Sequence, residues 1–246
     1  MKAELGFTKL TEIPHSGKEF EVIWNPVKGN YKSQRDKIEK FGAKYQISSP
    51  QLASLLEDAK QGESQDFPDR IIEIMDNSYF RSSTESLWIP KTNEEISNWV
   101  IVYDNSNLKN SKFSIKKSEL LKKLENADEL RTKGHPVFIS KDKSVRFTPL
   151  GFETGEMNNI RLSKNPYNIA LHLEEGAEKI AEFSSKEDGM GSNLFAYKKG
   201  DFCYEKRTVS VLGGEWGWGR RLGVSGIDCG DEYFGFSLGV LFKEKK

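Results

Sequence analysis

Nine of the 21 glycines in this chain fall between Gly213 and Gly239, at positions 213, 214, 217, 219, 223, 226, 230, 235 and 239. Aromatic residues are interleaved with them. A helix does not tolerate such glycine density. Short strands joined by sharp turns do, because glycine lets backbone approach backbone or ligand closely. The segment from Leu194 to Phe242 is therefore expected to be predominantly antiparallel sheet. Within it, Trp216, Trp218, Arg220 and Arg221 put two indoles and two guanidiniums into six residues. Indole and guanidinium are the groups that dominate binding hot spots. These four residues are the leading candidates for a ligand or partner surface. Trp216 and Trp218, two positions apart, share one strand face and also suit a core or a subunit interface.

The rest of the chain mixes both kinds of element. Glu19 to Trp24 alternates as a strand and Asn25-Pro26 closes it. Tyr31 to Phe41 predicts a charged helix that packs through Ile38 and Phe41. Ser49-Pro50 predicts a helix start, with Ser49 as cap and Leu52, Leu55, Leu56 and Ala59 as its stripe. A second helix is expected after Phe67-Pro68, through Ile71, Ile74 and Met75. Strands are expected at Ser86 to Ile89 and Trp99 to Tyr103. A further helix should run from about Ser118, with Leu120, Leu121, Leu124 and Leu130 facing inward. Val137 to Ser140 and Ser144 to Thr148 read as a hairpin. The strongest single helix is predicted from Tyr167 to about Ser184, with Ile169, Leu173, Ala177, Ile180 and Ala181 inward. Strands occur in runs and there is no regular strand-helix-strand rhythm. The expected class is α+β with a mainly antiparallel sheet and a Gly/aromatic-rich C-terminal β region. The polar stretch Asp104 to Asn110 suggests a division into an N-terminal region 1–110 and a C-terminal region 111–246. One undivided domain is the alternative, since that stretch is short for a spacer.

Charge excludes a global argument for nucleic acid or anionic membrane. The 246 residues carry 37 basic and 37 acidic side chains, so any such role needs segregated charge. Lys28 to Lys44 and Lys109 to Lys133 are net basic, and Glu57 to Asp76 and Glu174 to Asp188 net acidic. Solvated faces account for these runs as well as binding patches do. No stretch approaches the roughly 18 apolar residues of a membrane span, and the N-terminus has no apolar signal core. No membrane partner is expected. Cys203 and Cys229 make no disulfide framework and no zinc site. Free thiols and a cytoplasmic setting are the expectation.

Reaction signatures are absent from the sequence. Gly213 to Gly219 has glycines, but no helix follows to receive a pyrophosphate. No cofactor and no metal is expected. His172 and Glu175, three apart on a predicted helix, could pair as a general acid/base couple. His135 and His15 lie in turns. Asp228, Asp231 and Glu232 surround a glycine turn, and Asp231 is a further candidate. Arg81-Ser-Ser-Thr84 sets hydroxyls behind a guanidinium that could hold phosphate. Taken together, the sequence points to a non-catalytic binding or assembly protein that uses its Gly/Trp/Arg-rich C-terminal surface to meet another protein or a second copy of itself. The alternatives are a nucleic-acid binder that adds Lys116, Lys117, Lys122, Lys123 and Arg146, and a hydrolase acting on a phosphodiester or glycan through His172 and Glu175.

Overall fold

The computed structural model describes residues 9–61, 68–92, 98–130, 135–185, 192–214, 222–228 and 235–242. The chain opens with a hairpin of β1 (Lys9–His15) and β2 (Lys18–Gly29). Ser16 and Gly17 form its two-residue turn, both at positive φ, as the strand twist requires. Next come α1 (Tyr31–Lys40), β3 (Tyr45–Gln46), α2 (Ser49–Gln61), α3 (Pro68–Asn77), β4 (Tyr79–Ile89) and β5 (Trp99–Asp104). Asn30 caps α1 by accepting from the Ser33 N–H at 2.9 Å. Ser49 does not cap α2 with its side chain as expected. Its Oγ bonds Ser82 Oγ at 2.8 Å, while Gln51 Oε1 accepts from the Ser48 N–H at 2.9 Å.

The second half continues with α4 (Lys117–Leu124), β6 (Asp128–Leu130), β7 (Val137–Ile139), β8 (Val145–Pro149), β9 (Gly155–Met157), α5 (Asn159–Ser163) and α6 (Pro166–Ser185). It closes with β10 (Ser192–Phe195), β11 (Lys206–Gly214), β12 (Leu222–Asp228) and β13 (Gly235–Phe242).

The main strand order is β6-β7-β8-β5-β4-β11-β12-β10-β9, and β13 joins β2, β3 and β4 to it. Strands from both halves of the chain interleave. The last described strand pairs antiparallel with β2, Phe242 opposite Phe20. The expectation of α+β with a mainly antiparallel sheet is met. The exceptions are β10, which runs parallel to β12, and one parallel bridge between β13 and β4.

Period-two alternation gives the sheet two buried faces. Leu87, Ile89, Ile101, Tyr103 and Val145 pack under Leu120 of α4. Trp88, Val100 and Val102 face the opposite way, into the main core with α2 and α6. The stripe Leu52, Leu55, Leu56 and Ala59 of α2 is fully inside this core, as are Ala170, Leu171, Ala177 and Ile180 of α6.

β2 runs on through Asn25-Pro26, which were expected to close it, to Gly29, and β4 and α6 also depart from expectation. β4 begins at Tyr79, seven residues before the expected Ser86, because Arg81 to Ser86 form a polar strand buried on both faces. α6 is not continuous: Leu173 sits at φ 62°, ψ 171°. That backbone region is open essentially to glycine alone and costs a leucine about 1–3 kcal/mol. The break leaves carbonyls without helical partners, and Arg146 of β8 takes them. Its Nε donates to Ala170 O at 2.8 Å and its Nη2 to Leu171 O at 3.2 Å. Its Nη1 forms an ion pair with Asp104 at 2.5 Å.

Candidate functional site

Trp216, Trp218, Arg220, Arg221, Asp231 and Cys229 lie outside the described residues. The strand ends that carry them are described. Residues 215–221 join Gly214 to Leu222, which are register partners in the β11–β12 pair. Residues 229–234 join Asp228 to Gly235.

Two of these four roots, Asp228 and Gly235, converge on Arg81 and Tyr79, and Gly214 lies against the end of α3. A Cβ on Gly214 would collide with the Met75 carbonyl in the last turn of α3. One on Gly235 would collide with the Tyr79 ring. Both positions therefore need glycine for the approach itself. Tyr79 also lies against the neighbouring Gly213. Arg81, fully buried, donates through Nη2 to Tyr79 Oη and to Asp228 Oδ2, each at 3.0 Å. Its Nη1 donates to Gly29 O at 3.2 Å, at the end of β2. A buried guanidinium with its fork filled by a carboxylate, a phenol and a carbonyl fixes the relative positions of the groups it holds. The sequence singled out Arg81 as a phosphate candidate. Its buried internal partners instead make it a clamp that ties the end of β12 to β4 and to the end of β2. Tyr79 carried no signal in the sequence; its role rests on glycines far away in the chain.

A second buried polar group lies deeper on β4. Glu85 accepts from Tyr31 Oη at 2.9 Å, Tyr103 Oη at 2.6 Å, Asn105 Nδ2 at 3.0 Å and the Phe113 N–H at 3.1 Å. Burial and the adjoining carboxylate push both tyrosine hydroxyls up, so both remain neutral donors. Arg35 reaches Tyr31 Oη and Arg207 reaches Tyr103 Oη. The arrangement ties α1, β4, β5 and β11 together.

The His172–Glu175 couple does not form. His172 is buried and its Nδ1 faces Asn168 Oδ1 at 2.9 Å and Asn168 O at 3.2 Å. Two acceptors at Nδ1 place the proton there, and among the described residues Nε2 has no hydrogen-bond partner. Glu175 instead meets Lys179 at 2.8 Å and Ser16 at 3.2 Å. The cause is the break at Leu173, which lies between the two residues and ends the helical spacing that the i, i+3 argument assumed.

Desolvation by burial, with the Arg146 guanidinium adding to it, lowers the His172 pKa from 6.5 to about 3. A histidine held neutral in the fold but free to charge when unfolded stabilises the protein fully above pH 6.5. That contribution is lost as pH falls towards 3. Between pH 7 and pH 4 the wild type should lose roughly 3 kcal/mol through this residue. Urea unfolding across that range checks it: His172→Gln should show a visibly shallower pH dependence than wild type, whatever its stability at pH 7.

His15 sits elsewhere, at the hairpin turn, with Nδ1 3.0 Å from Ser54 Oγ of α2. Lys179 donates to the same hydroxyl at 3.2 Å and pairs with Glu57 at 2.9 Å. This set pins the β1–β2 turn to α2 and α6. His135 lies beside Gly151. Among the described residues no group of three His, Cys, Asp or Glu side chains could hold a metal ion.

Of the basic residues of the nucleic-acid alternative, Lys116 and Lys122 are exposed and the other three described ones are engaged. Arg146 is buried, Lys117 pairs with Glu205 at 2.7 Å, and Lys123 pairs with Asp142 at 2.8 Å. Cys203 is an exposed free thiol. Among the described residues no helix is long and apolar enough to cross a membrane.

No family model and no curated protein matches the chain. A solved structure from work on the accommodation of massive sequence variation in Nanoarchaeota by the C-type lectin fold does. It superposes with a TM-score of 0.52 at 14% identity, over 97% of this chain and 100% of that one. At that identity the likeness shows the fold: this chain has the C-type lectin architecture.

Proposed function

We propose that this protein is a non-catalytic binding protein whose contact surface is carried by residues 215–221 and 229–234, with Trp216, Trp218, Arg220 and Arg221 as its principal groups. The observation that carries the reading is that both roots of 229–234 meet Arg81 and Tyr79, while Gly213 and Gly214, ahead of 215–221, lie against Tyr79 and the end of α3. A rigid base lowers the ordering cost that a surface must meet when it binds. The residues set on that base are those most often found at hot spots. The similar structure is described as a C-type lectin fold that accommodates massive sequence variation. A division between fixed strand ends and chemistry placed between them suits the same use here. Asp231 belongs to the second segment and adds a carboxylate to the surface. The partner we favour is another protein or a second copy of this chain. The ion pairing of Lys117 and Lys123 weighs against nucleic acid, and the separation of His172 from Glu175 weighs against the hydrolase reading. Interleaving of strands across residue 110 supports a single folding unit over the division into 1–110 and 111–246. The exposed thiol of Cys203 suits a reducing, cytoplasmic setting.

Replacing Arg220 and Arg221 together by alanine should weaken binding by about 1–3 kcal/mol for a hot-spot arginine while leaving the unfolding midpoint unchanged. A pull-down from the native organism's lysate, wild type against the double variant, followed by mass spectrometry and nucleic-acid detection, measures this. An identical set of bound species from both samples would reject the surface.

A further inference from the structure

Lys206 opens β11 with its ammonium 4.6 Å from the Tyr197 ring centre and 5.5 Å from that of Tyr204. Among the described residues no carboxylate pairs with it, because Glu205 next to it is taken by Lys117. Beneath the ammonium lies a fixed aromatic floor. Tyr197 packs edge-on to buried Trp88 at 5.2 Å and against Phe202 at 5.3 Å. Trp88 is itself anchored through Nε1 to Thr208 Oγ1 at 2.8 Å. Tyr204 is 65% exposed. Lys198 and Lys199 are exposed on the same turn, where Asp201 is occupied in closing it by accepting the Lys198 N–H at 2.6 Å.

From this arrangement we infer a second binding site, distinct from the C-terminal segments, for a small ring-bearing carboxylate. The carboxylate meets Lys206 and the apolar face of the ring lies on Tyr204. The two aromatic faces hold the lysine ammonium in place without neutralising it, by cation–π attraction. A flexible lysine normally loses much rotamer freedom when it engages an anion. Here that ordering is already done, and the charge remains to attract an anion. An exposed tyrosine beside a held cation recognises a flat or apolar ring whose substituent is negative. A polyanion track is a poorer fit, since the neighbouring Lys117 is spent on Glu205. Two sources share the chemistry, an acidic sugar and an aryl carboxylate.

Calorimetric titration of the full chain with galacturonate, with neutral galactose and with benzoate tests the site. Binding of the uronate or of benzoate, with none of the neutral sugar, is the expected result, and which anion binds identifies the source. Lys206→Gln and Tyr204→Ala should each weaken it by about tenfold or more, since each removes one of the two recognising groups. Tyr204 is exposed, so its variant keeps the fold; matching unfolding midpoints verify this. Binding should also weaken as salt is raised. No binding of either anion, equal binding of the neutral sugar, or affinities unchanged in both variants would overturn the inference.

Discussion

Arg81→Met lowers stability by about 3–5 kcal/mol, the cost of leaving a buried carboxylate without its cation. Asp228 is 6% exposed and lies 3.0 Å from the guanidinium. Methionine fills most of the volume but returns none of the bonds to Asp228, Tyr79 and Gly29. The loss has a second consequence. Asp228 and Gly235 flank 229–234, and Gly213, which also lies against Tyr79, is two residues ahead of 215–221, so loosening Tyr79 and Arg81 loosens the base of the proposed surface. Binding should therefore fall even where the protein is still folded. The double variant Arg81→Met, Asp228→Asn removes the carboxylate charge that the guanidinium balanced and should recover part of the stability, while binding stays weak. Chemical unfolding of the three proteins measures the first effect. If Arg81→Met alone unfolds at the wild-type midpoint, the clamp is not a clamp.

The second large effect is expected at Arg146. Its guanidinium serves both Asp104 and the carbonyls that the α6 break sets free. Arg146→Met should cost about 3–5 kcal/mol, because a charge and two buried carbonyls lose their partner at once. Leu173→Gly, at the break itself, should act in the opposite sense. In a regular helix interior a glycine costs about 1 kcal/mol against alanine. At φ 62° it relieves strain instead, so the change should be neutral or stabilising. Thermal unfolding of each variant distinguishes the two behaviours. A Leu173→Gly variant destabilised as an ordinary helix glycine would contradict the break.

Much of the fold was legible because it rests on local patterning. The stripes of α1, α2 and α3, the β7–β8 hairpin and the C-terminal strands follow from periodicity and turn residues. α6 was legible as an element but its break was not, because the group that stabilises it comes from β8, far away in the chain. The start of β4 was hidden for a related reason. Arg81 to Ser86 bury polar side chains on both faces, so no apolar alternation announces a strand. Each finds its partner on a remote element: Ser82 on α2, Thr84 on Asp104, Glu85 on two tyrosines. The candidate surface was legible as composition alone. Glycine density and the Trp/Arg cluster mark it. That Gly214 and Gly235 lean on α3 and Tyr79, and that Arg81 holds Asp228, are facts of packing.

The central claim is that the fold and the surface are separable, with strand ends fixing one and residues 215–221 and 229–234 carrying the other. The most direct measurement replaces both segments by glycine-serine chains of equal length, keeping Gly214, Leu222, Asp228 and Gly235. It then records the unfolding midpoint and the species captured from native lysate side by side with wild type. A midpoint close to wild type and loss of the captured partner are expected. A chain that keeps its partner with both segments replaced, or one that no longer folds without them, would contradict it.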